Sequence, residues 1–263
     1  MTAPPRATTR RPDLLRASWA LVAAAVACQI AYPLVEGTSR DRLTVGTAVV
    51  TFAAVLSHAV FRHGPAAAAV FGVVLAVAAG VETLGVHTGV PFGDYDYGGG
   101  LGAELAGVPL VIPAAWAMTA YPALLVARHL TRRASRPVTA LVAGWALASW
   151  DVFLDPQMVE EGYWRWAHPD PALPGSPDVP LTNYAGWLVV SVLLMAVLDR
   201  VLPDAGRECA GGEDLLPGLL YLWTYVAQVV GNLVFFDRPA VALLGGLAMG
   251  AVALPYARAL QSR

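Results

Sequence analysis

Two blocks rich in carboxylates and aromatic rings stand out in an otherwise apolar chain. The first begins at Glu82 and includes the stretch GDYDYGGG, and the second is the stretch WDVFLDPQMVEEGYWRW at 150–166. Carboxylates beside membrane-length apolar segments persist mainly where they pair, face water or take part in chemistry. The two blocks therefore predict a polar site at the edge of a membrane-embedded bundle.

The second block contains two carboxyl groups at a suggestive spacing. Asp151 and Asp155 are four residues apart near the end of an apolar segment, which places both on one face of a helix. When two carboxyl groups lie this close in apolar surroundings, repulsion between the charges and loss of hydration disfavour ionisation of both. One can therefore stay protonated and serve as a general acid. The alternative is that Asp155 lies in interfacial water while Asp151 bonds a neighbouring helix. We favour the acid because Asp151 lies a full turn inside the segment, and we expect Pro156 to end the helix.

The first block offers a third carboxyl group. Glu82 follows a long Ala/Val run without another ionisable residue, which makes it a site candidate unless it reaches water at a helix end. The GDYDYGGG loop lacks the terminal bidentate acid of a calcium loop, and its ordinary interpretation is a turn with interfacial tyrosines. Single tryptophans have the same interpretation, but several around carboxylates could line an apolar slot or shield a carbocation.

Composition places the chain in a membrane. Hydrophobic residues make up 57% of the 263 and charged residues 14%, and the mean hydropathy is +0.56. Soluble domains carry about 25% charged residues, so a soluble α/β enzyme is the weaker alternative. A net charge of −2 offers no general surface for polyanions, and we expect no nucleic-acid partner.

Apolar segments of membrane length predict an all-α, polytopic transmembrane helical bundle of about eight spans. Only Asp237 and Arg238 separate the last two segments, so a tight hairpin or one broken helix, and hence seven spans, is possible there. We expect an N-terminal tail at 1–16 and a single integral-membrane helical domain at 17–263. The segments lie near 17–35, 43–61, 65–86, 108–130, 137–155, 184–202, 215–235 and 239–260.

The distribution of arginine predicts the orientation. The chain has no lysine, and an eight-span arrangement with both termini inside places 13 arginines on the inner segments and 4 on the outer ones. Cytoplasmic segments are enriched in basic residues, so we expect both termini of this cell-membrane protein to be cytoplasmic. The same arrangement places both acidic blocks at the outer face.

Four ordered stretches carry a family resemblance: ETLGVHTGVPFGDYDY, LGAELAGVPLVIPAAWAMTAYPA, WDVFLDPQMVEEGYWRW and PLTNYAGWLVV. Between about residues 70 and 190 the chain resembles the carotenoid biosynthesis family of membrane proteins, which includes CruF-type carotenoid hydratases. The resemblance implies a carotenoid substrate within the bilayer and a hydro-lyase that adds water across a terminal double bond of an acyclic carotenoid end. Residue roles are inferred from chemistry alone.

Hydration of a trisubstituted double bond begins with protonation of its less substituted carbon, and water then captures the tertiary cation. The enzyme needs a protonated carboxylic acid, a shield for the cation and a base. As catalytic residues we predict Asp151 or Asp155 as the proton donor, with the other or Glu82 orienting the water. We expect no cofactor and no metal, since the sequence shows no phosphate loop, dinucleotide fingerprint or metal-ligand cluster.

Two further functions remain open. A non-catalytic carotenoid-binding or carrier protein would suit an apolar bundle, and a Mg²⁺-dependent intramembrane prenyltransferase could use a DxxxD pair. The oligomeric state stays open as well. The predicted substrate-binding residues are the aromatic and polar side chains of the two blocks and the following span: Tyr95, Tyr97, Asp94, Asp96, Trp150, Trp164, Asn183 and Trp187.

Overall fold

Eight long helices dominate the part of the chain that the structure describes. The structure is a computed structural model, and it describes residues 11–203 and 215–262. Seven of the described helices are long and apolar enough to cross a membrane, which confirms the predicted all-α membrane bundle. The helices are α1 (Arg11–Ala31), α2 (Gly37–His63), α3 (Ala66–Thr88), α4 (Val111–Leu130), α5 (Arg136–Glu160), α6 (Leu181–Val201), α7 (Leu215–Val234) and α8 (Pro239–Gln261).

The first and the last predicted spans differ in how closely the structure matches them. α7 and α8 are separate helices joined by four residues, as a tight hairpin requires. The exception among the apolar helices is α7, which carries Gln228 and Asn232 in its second half. α1 begins at Arg11, and residues 1–10 of the predicted tail lie outside the described residues. The division into tail and single domain stays a prediction.

The prediction that Pro156 ends its helix was wrong. α5 continues through Pro156 to Glu160, and the amide of Glu161 still bonds the carbonyl of Gln157 at 3.2 Å. Proline removes one donor, but the residues after it close the last turn with their own hydrogen bonds, as membrane helices often allow. The added turn places Asp155 inside the bundle instead of at its edge.

The long connections α3–α4 and α5–α6 fold over one end of the bundle. β1 and β4 belong to different connections and pair antiparallel, with Tyr95 opposite Trp166 and Tyr97 opposite Trp164. The short strands are β1 (Tyr95–Tyr97), β2 (Glu104–Leu105), β3 (Val108–Pro109), β4 (Trp164–Trp166), β5 (Ala172–Leu173) and β6 (Ser176–Pro180). The pairing of β1 with β4 joins the two acidic blocks.

Ion pairs attach the remaining connections to the same end. Arg40 at the start of α2 pairs with Glu161, and Arg238 between α7 and α8 pairs with Glu160. All four connections at this end are thus in contact around the acidic blocks. The side of the membrane on which this end lies stays a prediction from the arginine distribution.

Close packing of α5 against α6 holds the acidic helix in place, and Gly144 makes it possible. A Cβ atom at Gly144 would lie 2.8 Å from the backbone nitrogen of Val192. We expect Gly144→Ala to destabilise the bundle by about 1–3 kcal/mol because the two backbones would have to separate. Its thermal midpoint in detergent should fall.

Gly72→Ala on α3 is the matched control, since nothing lies within 4 Å of a Cβ atom added there. A helical Gly→Ala change in open space gains up to about 1 kcal/mol of helix propensity, so the midpoint should hold or rise. Equal shifts for the two variants would contradict the packing argument.

Candidate active site

Glu82 is the centre of the first carboxyl site. It lies two turns before the end of α3 and is 4% exposed. Its Oε2 accepts hydrogen bonds from the hydroxyls of Tyr95 at 2.5 Å and Tyr97 at 2.8 Å, and its Oε1 accepts one from Nε1 of Trp116 at 2.8 Å. An ionised carboxylate only accepts, with about four lone-pair positions, so three donors suit the anion and leave one position free.

The two phenols of β1 are fixed as donors. Burial, followed by the charge of Glu82, raises the pKa of Tyr95, and the same two causes raise the pKa of Tyr97. Both phenols therefore keep their protons at neutral pH. Gly85 permits the approach, because a Cβ atom there would lie 2.9 Å from the Tyr95 hydroxyl oxygen.

Asp151 and Asp155 form the second carboxyl site, on the inner face of α5. They are 0% and 2% exposed, so neither lies in interfacial water. The side-chain amide of Asn183 on α6 donates to Oδ2 of Asp151 at 3.0 Å and also to Oδ2 of Asp155. Nε1 of Trp164 donates to Oδ1 of Asp155 at 3.1 Å. Among the described residues, Oδ1 of Asp151 is buried without a partner.

Alternation along the two paired strands decides which block residues face inward. Tyr95 and Tyr97 point into the bundle, and Asp96 between them is exposed and pairs with Arg165 at 3.2 Å. Asp94 is also exposed. Successive strand side chains point to opposite faces, so a three-residue strand whose two end aromatics face inward turns its middle charge outward. The structure does not bring Asp94 and Asp96 to the carboxyl sites.

One cavity connects the two carboxyl sites. It has a volume of about 360 Å³, and Glu82, Asp155 and Asn183 lie in its wall, whereas Asp151 does not. Most of the remaining wall is apolar or aromatic, with contributions from α1, α2, α4 and α7. Asp155 can therefore touch a molecule in the cavity, and Asp151 lies behind it.

Aromatic rings line the cavity beside the carboxyl groups. Trp116 and Trp187 stack with their ring centroids 4.2 Å apart, and Phe92 packs 6.0 Å from Trp187. Trp150 and Trp166 also lie in the wall. The predicted substrate-binding residues do not include Trp116 or Trp166. For Trp166 a signal was present, because the W-R-W alternation is typical of a half-buried strand. Trp116 lies on α4, and no local pattern marks it.

Within the described part of the chain, no group of three or more His, Cys, Asp or Glu residues could hold a metal ion.

Most of the predicted site residues lie close together in the structure. The residues brought together are Glu82, Tyr95, Tyr97, Trp150, Asp151, Asp155, Trp164, Asn183 and Trp187.

The fold and the site define a class: a polytopic helical membrane protein that buries three carboxyl groups beside an apolar cavity. The chain belongs to the carotenoid biosynthesis protein family, whose model matches residues 42–253. This match confirms the family resemblance and extends it beyond residues 70–190.

A curated relative is the bisanhydrobacterioruberin hydratase of Haloarcula japonica. The two are 33% identical over 172 residues, which cover 62% of this chain and 56% of the relative. The chain thus spans about half the length of the curated relative that it matches. No solved structure matches the chain.

Proposed function

We propose that this protein is a carotenoid hydratase that adds water across a terminal carbon–carbon double bond of an acyclic carotenoid end. One observation carries the proposal: the apolar cavity touches two differently surrounded carboxyl groups, Glu82 with three donors of its own and Asp155 beside the second buried carboxyl group Asp151. Alkene hydration needs an acid and a base at one apolar substrate, and two differently bonded carboxyl groups supply them. The relative named a hydratase supports the same reaction.

Asp155 is the proton donor in this proposal. It lies in the cavity wall, and among the described residues neither Asp155 nor Asp151 has an arginine or histidine partner. Two adjacent buried carboxyl groups without a counter-cation keep at least one proton between them. Asn183 bridges the pair and fixes its orientation, and Asp151 acts as a positioning residue behind Asp155.

Glu82 is the anion and base. Its three donors match the ionised form, and its negative charge faces a cavity where a tertiary cation would form. The one free lone-pair position can accept a proton from the attacking water. The proton must then return to Asp155, so that each cycle adds one water and restores the acid.

Stacked and tilted aromatic rings stabilise the cation and exclude bulk water. Trp116 and Trp187 present adjacent π-systems, and Trp150 and Trp164 flank the acid. Cations are attracted to such faces by about 0.5–2 kcal/mol each. This arrangement favours the hydratase over a passive carrier, because a carrier has no use for three buried carboxyl groups.

The prenyltransferase alternative finds less support. Such an enzyme needs basic residues to hold a diphosphate. Of the described residues that line the cavity, none is arginine or histidine, and Arg165 lies on the surface beside Asp96.

Expression in a host that accumulates acyclic carotenoids tests the proposed function. A hydratase gives pigments heavier by the mass of water, with a tertiary hydroxyl at the chain end. A prenyltransferase gives pigments heavier by a prenyl unit, and a carrier gives unchanged pigment that purifies with the protein. Either of the last two results would overturn the proposal.

We infer that the cavity opens laterally between α1 and α7, where a membrane-dissolved chain can enter. Ile30, Val230 and Phe235 belong to its wall and are also 56%, 44% and 53% exposed. Nε1 of Trp223 donates to Oε1 of Gln29 at 2.6 Å, which links the two helices. We infer that one carotenoid end enters here while the rest of the polyene stays in the bilayer.

Ala227→Trp tests this entry route. Ala227 lies in the cavity wall on α7, and a ring there would obstruct the path from the opening to the carboxyl groups. If the introduced ring costs about 1–3 kcal/mol of overpacking when the substrate is bound, the rate of carotenoid hydration should fall roughly 10- to 100-fold. Pigment analysis at equal protein levels measures it.

The matched control is the adjacent Val226→Trp. Val226 is 49% exposed and is not among the described lining residues. It should leave hydration within about twofold, since surface changes away from packed contacts cost little. Equal losses in both variants would show that the opening is not the entry route.

A further inference from the structure

Among the described residues, five threonines lie in the cavity wall, and three of them bond their own helices. The hydroxyls of Thr44, Thr119 and Thr224 donate to carbonyls one turn back at 3.0, 2.8 and 2.9 Å. This is the usual arrangement for threonine in a helix, and it satisfies the hydroxyl without any ligand.

Thr47 and Thr51 differ from the other three. Their Oγ1 atoms are buried, and within the described chain neither has a hydrogen-bond partner. Thr51 is 5% exposed. A buried hydroxyl left without a partner is destabilising, because it loses its hydrogen bonds to water and gains none in the protein. Two such groups in one cavity wall therefore point to a bound molecule that can both donate and accept.

The two hydroxyls lie in the wall of the cavity that Glu82 and Asp155 also line. Thr44, Thr47 and Thr51 are spaced three and four apart, so they share one face of α2. α2 begins at the carboxylate end, and Thr47 is ten residues from Gly37, or about 15 Å along the axis. Asp151 lies nine residues from the end of α5, or about 13 Å in, and Asp155 five residues, or about 8 Å in. The threonine face thus begins near the level of Asp151 and continues deeper into the same cavity, with Thr51 about 21 Å from the start of α2.

We propose that Thr47 and Thr51 bind the water molecule that the hydration consumes. This inference rests on the proposed function. A buried water needs two to four polar partners, and two rotatable hydroxyls one turn apart in the cavity wall can provide them. A polyene carries no group that could satisfy either hydroxyl, so the hydroxyls serve the second substrate.

The position of this water decides the fate of the cation. Asp155 gives its proton to the less substituted alkene carbon, which leaves a tertiary cation. Water then forms the carbon–oxygen bond and passes its extra proton to Glu82, which yields the tertiary alcohol. Without a held water, the cation loses a proton from an adjacent carbon to the Asp155 carboxylate and becomes an alkene again. Hydration then fails, but protonation continues.

Valine variants assayed in D₂O distinguish capture of the cation by water from its return to the alkene. Thr47→Val and Thr51→Val remove the hydroxyl and keep the shape, and Thr119→Val and Thr224→Val are controls whose hydroxyls bond their own helices. Membranes with an acyclic carotenoid are incubated in D₂O. Mass spectrometry then measures the hydrated product and the deuterium in the recovered alkene.

We expect the double variant Thr47→Val/Thr51→Val to lower the ratio of hydrated to deuterium-exchanged carotenoid at least about tenfold, the effect of about 1.4 kcal/mol in water binding. Both controls should keep the wild-type ratio. Equal ratios in all variants would overturn the water site. So would equal loss of hydration and exchange by the double variant, since that marks a role in substrate binding.

The behaviour of the wild-type protein distinguishes failure of the proposed function from failure of the water site alone. If it neither hydrates nor exchanges deuterium, the proposed function itself fails. If it hydrates and the double variant does so equally well, only the water site fails. Size-exclusion profiles in detergent, compared at equal protein level, identify a variant that has not folded, and the two single variants then supply the test.

Discussion

Asp155→Asn is expected to lower carotenoid hydration by about 10²–10⁴-fold, the usual contribution of a positioned general acid. The amide keeps the size of the carboxyl group and can still accept from Trp164, but it has no acidic proton to give. Deuterium exchange into the alkene should fall with hydration, because the cation no longer forms. Pigment mass spectrometry in D₂O measures both quantities at once.

Asp96→Asn is the matched control for this acid. It makes the same chemical change on β1, where the side chain is exposed and pairs with Arg165. Exposed ion pairs contribute at most about 1 kcal/mol, so hydration and folding should stay close to wild type. Full hydration by a folded Asp155→Asn variant would exclude Asp155 as the donor and direct attention to Glu82.

Glu82→Gln is expected to lower hydration by about 10²–10³-fold, comparable to the removal of one preorganised charge-stabilising group. The amide removes the negative charge that faces the cavity, so the tertiary cation is formed less often and its water has no base. Both hydration and deuterium exchange should fall. This result differs from that expected for Thr47→Val/Thr51→Val, where exchange persists.

Glu104→Gln on β2 controls for the loss of a glutamate in the same connection, since Glu104 is exposed. If Glu82→Gln does not fold, Tyr97→Phe provides a second test. It removes one of the three donors to Glu82 and should slow hydration roughly 10- to 100-fold, as a charge-assisted hydrogen bond of about 1.5–3 kcal/mol implies. Normal hydration by both Glu82→Gln and Tyr97→Phe would exclude Glu82 from the reaction.

The helices could be predicted because their signal is local. Each apolar segment is long enough to cross a membrane, and backbone groups in lipid must bond within a helix. The i, i+4 spacing placed Asp151 and Asp155 on one face for the same local reason. Pro156 was misjudged because the cost of a proline depends on whether the following residues and neighbouring helices satisfy the backbone.

The orientation of the side chains on β1 could not be predicted from local sequence alone. The sequence predicts Tyr95, Asp96 and Tyr97 alike as site residues, but the pairing of β1 with β4 turns Tyr95 and the half-buried Tyr97 inward and exposes Asp96. The alternation is visible in the sequence, but three residues are too few to establish a strand. The partner strand lies about 70 residues away, and its register fixes which face is buried.

By itself, the sequence determined a polytopic helical membrane protein, the family resemblance and the three carboxyl groups Glu82, Asp151 and Asp155. Only the tertiary structure decided their neighbours. It placed three donors around Glu82, the bridging amide of Asn183 between the aspartates, and Asp155 rather than Asp151 in the cavity wall. The physical reason is that hydropathy and helical period act along the chain, whereas hydrogen-bond partners and cavity access depend on contacts between helices far apart in sequence.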